Sequence, residues 1–109
     1  MIKEILERAL GLEVHETRTE EPEYHEMVIY SRDLNLWENI FREVMGAAVK
    51  PSGSKATAEQ VMITEEYGGI EKTQTLYVRR NDSGAMMIML WPWQDGERIT
   101  VKMVFMKGG

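Results

Sequence analysis

The 109-residue sequence contains no cysteine. That excludes a disulfide framework, thiolate metal sites and a cysteine nucleophile, and it fits a reducing, cytoplasmic setting. No apolar run approaches the ~18 residues of a membrane span. The opening residues, MIKEILERAL, carry Lys3, Glu4, Glu7 and Arg8, which is not a signal-peptide pattern, so no membrane partner is expected. There is no basic excess either. A net charge of −5 argues against broad binding to a phosphate backbone, so no nucleic-acid partner is expected.

Histidine is scarce, with two in the chain. His15 and His25 lie near Glu16, Glu20, Glu21, Glu23 and Glu26, but their spacing fits no zinc pattern and no HExxH run exists. Ser31, Ser52, Ser54 and Ser83 lack a Gly-x-Ser-x-Gly context. The loop from Lys50 to Lys55 lacks the spacing of a phosphate loop. Glu65, Glu66 and Glu71 cluster at an expected hairpin end, where water keeps carboxylates ionised. No catalytic residue, metal ligand or cofactor is therefore assigned, and the reading leans away from an enzyme.

What the chain does contain is a globular balance of 43% hydrophobic and 28% charged residues. Its length fits one domain spanning residues 1–109, able to bury roughly 65% of its unfolded surface. Ile2, Ile5, Leu6, Ala9 and Leu10 repeat at helical spacing, and Gly11 is a natural stop, giving an N-terminal helix within residues 1–12. Residues 13–23 are acidic and aperiodic and read as an exposed connection. An α+β core follows at residues 24–106. Residues 24–31 suit a strand. A second helix starts near Asp33 or Asn35, where Asn35 and Glu38 form a capping-box pattern. Its apolar stripe is Leu36, Trp37, Ile40, Phe41, Val44, Met45 and Ala48. Gly46 weakens it and Pro51 ends it.

The second half reads as a four-stranded meander. Gly68-Gly69 suits a hairpin turn, Asn81 to Gly84 a three-residue loop, and Asp95-Gly96 a tight hairpin. These turns set the register. Leu90 pairs with Val101, Ile88 with Met103 and Met86 with Phe105; Val78 then meets Ile88 and Leu76 meets Leu90. One face collects Val61, Ile63, Leu76, Val78, Met86, Ile88, Leu90, Ile99, Val101, Met103 and Phe105, and should pack on the second helix. The expected fold is thus α+β: an N-terminal helix, then β-α-β-β-β-β, with a helix packed on an antiparallel meander. That order of elements resembles the cystatins. The cystatin Gln-x-Val-x-Gly hairpin is missing, since Gln60-Val61-Met62-Ile63 has no such glycine. Pro92-Trp93 near the last hairpin is similar to a cystatin feature.

The opposite sheet face is unusual. Met62, Tyr77, Met87, Met89, Trp91, Trp93, Val104 and Met106 are assigned to it, together with Arg79, Arg98 and Lys102. A solvated face should be polar. Three explanations fit: the N-terminal helix covers it, a protein partner or a second copy binds it as in a homodimer, or it is a platform for a small ligand or nucleobase. The leading expectation is an interaction or oligomerisation domain binding through Met62, Tyr77, Arg79, Met87, Met89, Trp91 and Lys102. The alternative is a small-ligand-binding domain, or a minor enzyme, with a pocket between helix and sheet.

Overall fold

Asp95 and Gly96 lie at the turn between the last two strands in the expected register, but the loop is wider than the expected two-residue hairpin, closed by the Trp93 N–H donating to the Arg98 carbonyl. The Asp95 carboxylate accepts the backbone N–H groups of Glu97 and Arg98, and Gly96 takes a positive φ of 71°. The computed structural model describes residues 2–108. Around this turn β4 (Gly84–Pro92) pairs antiparallel with β5 (Arg98–Lys107). Leu90 faces Val101, Ile88 faces Met103 and Met86 faces Phe105, as the turn requires. β2 (Tyr24–Tyr30) lies on the other side of β5, also antiparallel.

The strand before this pair is shifted by one residue from the expected register. β3 (Thr75–Asn81) places Asn81 opposite Gly84, Val78 opposite Met87 and Leu76 opposite Met89. The loop is therefore two residues, Asp82 and Ser83. Its cause is local: the Asn81 side-chain oxygen accepts the N–H groups of both Ser83 and Gly84. A one-residue slip exchanges the faces of a strand. Tyr77 and Arg79 consequently stand on the inner face, and Leu76 and Val78 on the outer.

The inner face carries the main core. α2 (Leu34–Met45) buries Trp37, Phe41, Val44 and Met45 against Met27, Ile29, Met86, Ile88, Leu90, Ile99, Val101 and Met103. Each such fully buried side chain is worth roughly 1.5–3 kcal/mol. Asp33, not Asn35, occupies the N-cap, and no side chain caps it. A 3-10 turn at Ser31–Asp33 leads directly into the helix. The helix also ends five residues before Pro51 in practice, at Gly46, whose φ of 83° stops it. α1 (Ile2–Arg8) packs beside α2 on this same face, burying Ile2 and Ile5. It does not cover the outer face, which removes the first of the three explanations.

Two segments differ in kind from expectation. Residues 58–67 form α3 (Ala58–Thr64) and a 3-10 turn (Glu65–Tyr67), not a strand, so Val61 and Ile63 leave the inner face. Thr57 and Gln60 build a reciprocal capping box, each side chain bonding the other's backbone N–H. Gly68, at φ 103°, ends the turn as a left-handed cap and not as a hairpin. Residues 14–20, read as connection, form β1 (Val14–Glu20), which pairs with β2. β1 is exposed at nearly every position, so burial left no alternation to detect. The sheet order is β1-β2-β5-β4-β3, all antiparallel. The class is α+β, with two strands before the long helix and three after. No helix among the described residues is long and apolar enough to cross a membrane.

His25 lies on the inner face of β2 and is buried. Burial lowers its pKa below the ordinary 6.5, against a smaller opposing pull from Glu20. The unfolded chain therefore takes up this proton first as pH falls below about 6.5, and stability drops there. Urea midpoints between pH 7.5 and 5.5 should show this slope, and His25→Gln should flatten it. An unchanged slope in the variant would remove His25 as its source.

Candidate functional site

The outer sheet face divides into a covered half and an open half. Over β3 and β4 it is roofed by α3. Leu76, Met87, Met89 and Val104 are buried there with Ile70, and Ile63, Tyr67, Val78 and Met106 pack around them. The roof is fastened where it ends. Lys102 Nζ donates to the Tyr67 carbonyl at 2.8 Å and sits 3.6 Å above the Trp91 ring. Tyr67 stacks on Tyr24 with ring centroids 6.0 Å apart. Burial lowers the pKa of Lys102 and raises that of Tyr24, whose hydroxyl also donates to Glu26 at 2.6 Å.

Over β1 and the ends of β2 and β5 nearest the Asp95-Gly96 turn the face opens into a cleft, and two bulges in β1 shape it. Val14 pairs with Ile29 and Glu16 with Val28, so His15 is an extra residue; Thr17 pairs with Met27 and Thr19 with Glu26, so Arg18 is another. A bulge re-aims the side chain it carries. Here both extra residues turn to the outer face. His15 Nδ1 lies 3.0 Å from the Tyr30 hydroxyl, and Arg98 Nη1 lies 3.4 Å from His15 Nε2. Arginine has no acceptor, so Arg98 is the donor in this contact and Nε2 the acceptor. Arg32 covers the Tyr30 ring at 4.2 Å.

Trp93 folds back over the same surface. Its indole N–H donates to Thr100 Oγ1 at 2.8 Å, and Arg98 and Arg18 flank its ring at 4.8 and 5.5 Å. Carboxylates hold these arginines in place. Arg18 bonds Glu16 at 2.8 Å, which holds the Glu16 carboxyl below its usual range. Asp95 bonds Arg98 at 2.9 Å, and the backbone N–H of Glu97 lowers its pKa first, with Arg98 adding to it. Beside this cluster lies an open cleft of about 750 Å³ lined by His15, Tyr30, Ser31, Arg32, Gly96, Glu97 and Arg98. Among the described residues no three acidic or histidine side chains gather to hold a metal ion.

The residues expected to bind are scattered by the fold. Trp91 and Lys102 do meet on the outer face. Met87 and Met89 share that face but are fully covered. Met62 lies on α3 and is 68% exposed. Tyr77 is buried on the inner face, 5.7 Å from Phe41, and burial raises its pKa to about 12. Arg79 donates to the Val44 carbonyl near the end of α2, where a cation also suits the helix dipole. His15, Arg18, Tyr30 and Arg32 were not among the expected set. The Val and two Thr of VHETRTE are the signal that this stretch is a strand, but nothing in it announces the bulges.

No family model, curated protein or solved structure matches the chain. Fold and site together define an α+β protein with one sheet face half roofed by a short helix and half open as a cleft rich in cations and aromatic rings.

Proposed function

We propose that the chain is a small-ligand-binding domain whose cleft beside Asp95-Gly96 takes a compact ligand bearing a carboxylate or phosphate. The observation that supports this is the pair of bulges in β1, which turn His15 and Arg18 onto the face that Tyr30, Arg32 and Arg98 already occupy. The cleft is within the size range of small-molecule sites, and its lining has two arginines against one carboxylate, Glu97. Arg32 is paired with Glu13 and Arg98 with Asp95. Exposed pairs of this kind are worth about 0–1 kcal/mol, so an incoming anion competes with them at little cost.

Titration of the ¹⁵N-labelled protein with citrate and with inorganic phosphate tests the proposal. Resonances of His15, Arg32 and Arg98 should move together and saturate, and Arg98→Ala should weaken binding at least ~10-fold, as expected for loss of a charge-assisted contact. Shifts that never saturate, or that survive Arg98→Ala unchanged, would overturn it.

A second reading, an interaction domain, is favoured by α3. Val61 and Met62 point outward from it, 49% and 68% exposed, and Gln60 bonds the carbonyl of exposed Val49 beside it. If this surface binds a partner or a second copy, Met62→Glu abolishes the complex in light scattering and leaves the anion titration intact.

A further inference from the structure

The cleft beside the Asp95-Gly96 turn is lined by one side chain of the type that changes charge between about pH 5 and 8, the imidazole of His15. The other histidine, His25, is buried on the inner face, across the sheet. Charged and titratable groups surround His15 from each neighbouring segment. On its own strand stand Glu16 and Arg18, which bond each other, and just before it Glu13, which pairs with Arg32 of the 3-10 turn. β2 brings Tyr30, whose hydroxyl lies 3.0 Å from Nδ1. The turn before β5 brings Glu97 and Asp95, and β5 brings Arg98, paired with Asp95. Arginine keeps its charge throughout this range, and Glu16 and Asp95 are held below the usual carboxylate range.

We propose, resting on the reading of this cleft as an anion site, that binding is coupled to protonation of His15, one proton being taken up on Nε2 with each anion. Without an anion, Nε2 accepts from Arg98 Nη1 at 3.4 Å. An imidazolium has two donors and no acceptor. Protonation therefore ends that contact and leaves two donors of like charge, Nε2–H and the Arg98 guanidinium, facing the same space. An oxyanion seated between them accepts from both, while Nδ1–H stays on the Tyr30 hydroxyl. Proton and anion thus each raise the affinity for the other, by the same factor. The anion-bound cleft holds the proton more tightly than the free cleft. The added affinity is therefore fully present at low pH and is lost as pH rises through the titration of His15 in the bound state. His15 is exposed, so water and salt limit the factor to roughly 5-fold.

Sulfate is the probe, because its charge is constant between about pH 5 and 8 and that of phosphate is not. Its dissociation constant for the intact ¹⁵N-labelled protein, at constant ionic strength, should be roughly 5-fold lower at pH 5.5 than at pH 8. His15→Gln should bring the ratio of the two constants close to one, and His25→Gln should leave it at about 5. The wild type reports the same coupling through its two histidine rings, His15 being the resonance that His15→Gln removes. Saturating sulfate should move the His15 titration upward by about 0.7 in pH, the same ~5-fold factor, and leave that of His25 in place. Sulfate that binds and is weakened by Arg98→Ala, but with equal affinity at both pH values and no movement of His15, would overturn the coupling and leave the anion site standing. Equal movement of both histidines would also overturn it, as a general charge effect. Absence of saturable sulfate binding at either pH would overturn the coupling, and the anion site with it if citrate and phosphate also fail to bind.

Discussion

Replacing Lys50 with methionine is expected to destabilise the protein by about 3 kcal/mol. Lys50 is 1% exposed, and its ammonium donates to the carbonyls of Gln74, Lys72 and Pro51 at 2.6, 3.0 and 3.3 Å. Three donors meet three acceptors, and no carboxylate is among them. Its backbone also pairs with Leu76, whose N–H donates to the Lys50 carbonyl at 2.9 Å, so the residue closes the outer edge of β3. Methionine keeps the length of the stem and leaves three carbonyls without their donor. Hydrogen bonds to a charged group are worth about 1.5–3 kcal/mol each, so the gross loss is larger than 3. Relief of the ammonium's desolvation, which lowers the pKa of Lys50, offsets part of it. The melting temperature should fall by roughly 10 °C. Urea unfolding at pH 7 gives the free energy, and an unchanged m-value would place the effect in stability alone. A loss under about 0.5 kcal/mol would mean that water satisfies the carbonyls as well as the ammonium does, and the account would fail.

Lys50 also illustrates what the sequence could not reveal. It stood in a loop that resembled an ordinary flexible connection, and only the fold brings Lys72 and Gln74 to it. The elements that were legible carry strong local signals. Asp95-Gly96 sets the β4–β5 register, and the stripe of α2 sets its buried face. The β3 error is instructive because it was small. Leu76, Tyr77 and Val78 are all apolar, so either face of β3 would suit a core, and alternation gave no way to choose. The register then rested on whether the Asn81 loop held two or three residues. The α3 error has a different origin. Val61, Ile63 and Thr64 favour strands by type, but the Thr57–Gln60 capping box and packing on the sheet prevail over propensity. For the site, Trp91 and Lys102 were legible because β4 and β5 were in register. His15 and Arg18 were not, because a bulge leaves no trace in a strand that buries almost nothing.

The roof over the outer face yields the second large effect. Gly68→Ala is expected to cost about 3 kcal/mol, from a left-handed backbone of roughly 1–2 and overpacking of roughly 1–3. A Cβ at Gly68 would fall 2.2 Å from Trp91 Cη2 and 2.9 Å from Cζ2, and the residue sits at φ 103°. Trp91 cannot retreat easily, since Lys102 lies on its ring and bonds Tyr67 next to Gly68. The cheaper response is for α3 to lift, which uncovers Met87, Met89 and Val104. Dye binding to exposed apolar surface should rise, and amide protection over residues 58–67 should fall before the rest of the chain. Gly69 is the internal control. It has a similar φ of 83° but no atom within 4 Å of a new Cβ, so Gly69→Ala should cost only about 1 kcal/mol. The excess at Gly68 is then assigned to one ring by a double-mutant cycle. With Trp91→Ala in place, Gly68→Ala should also cost about 1 kcal/mol, a coupling of about 2. Equal costs at the two glycines, or no coupling to Trp91, would mean that α3 is not held at this point.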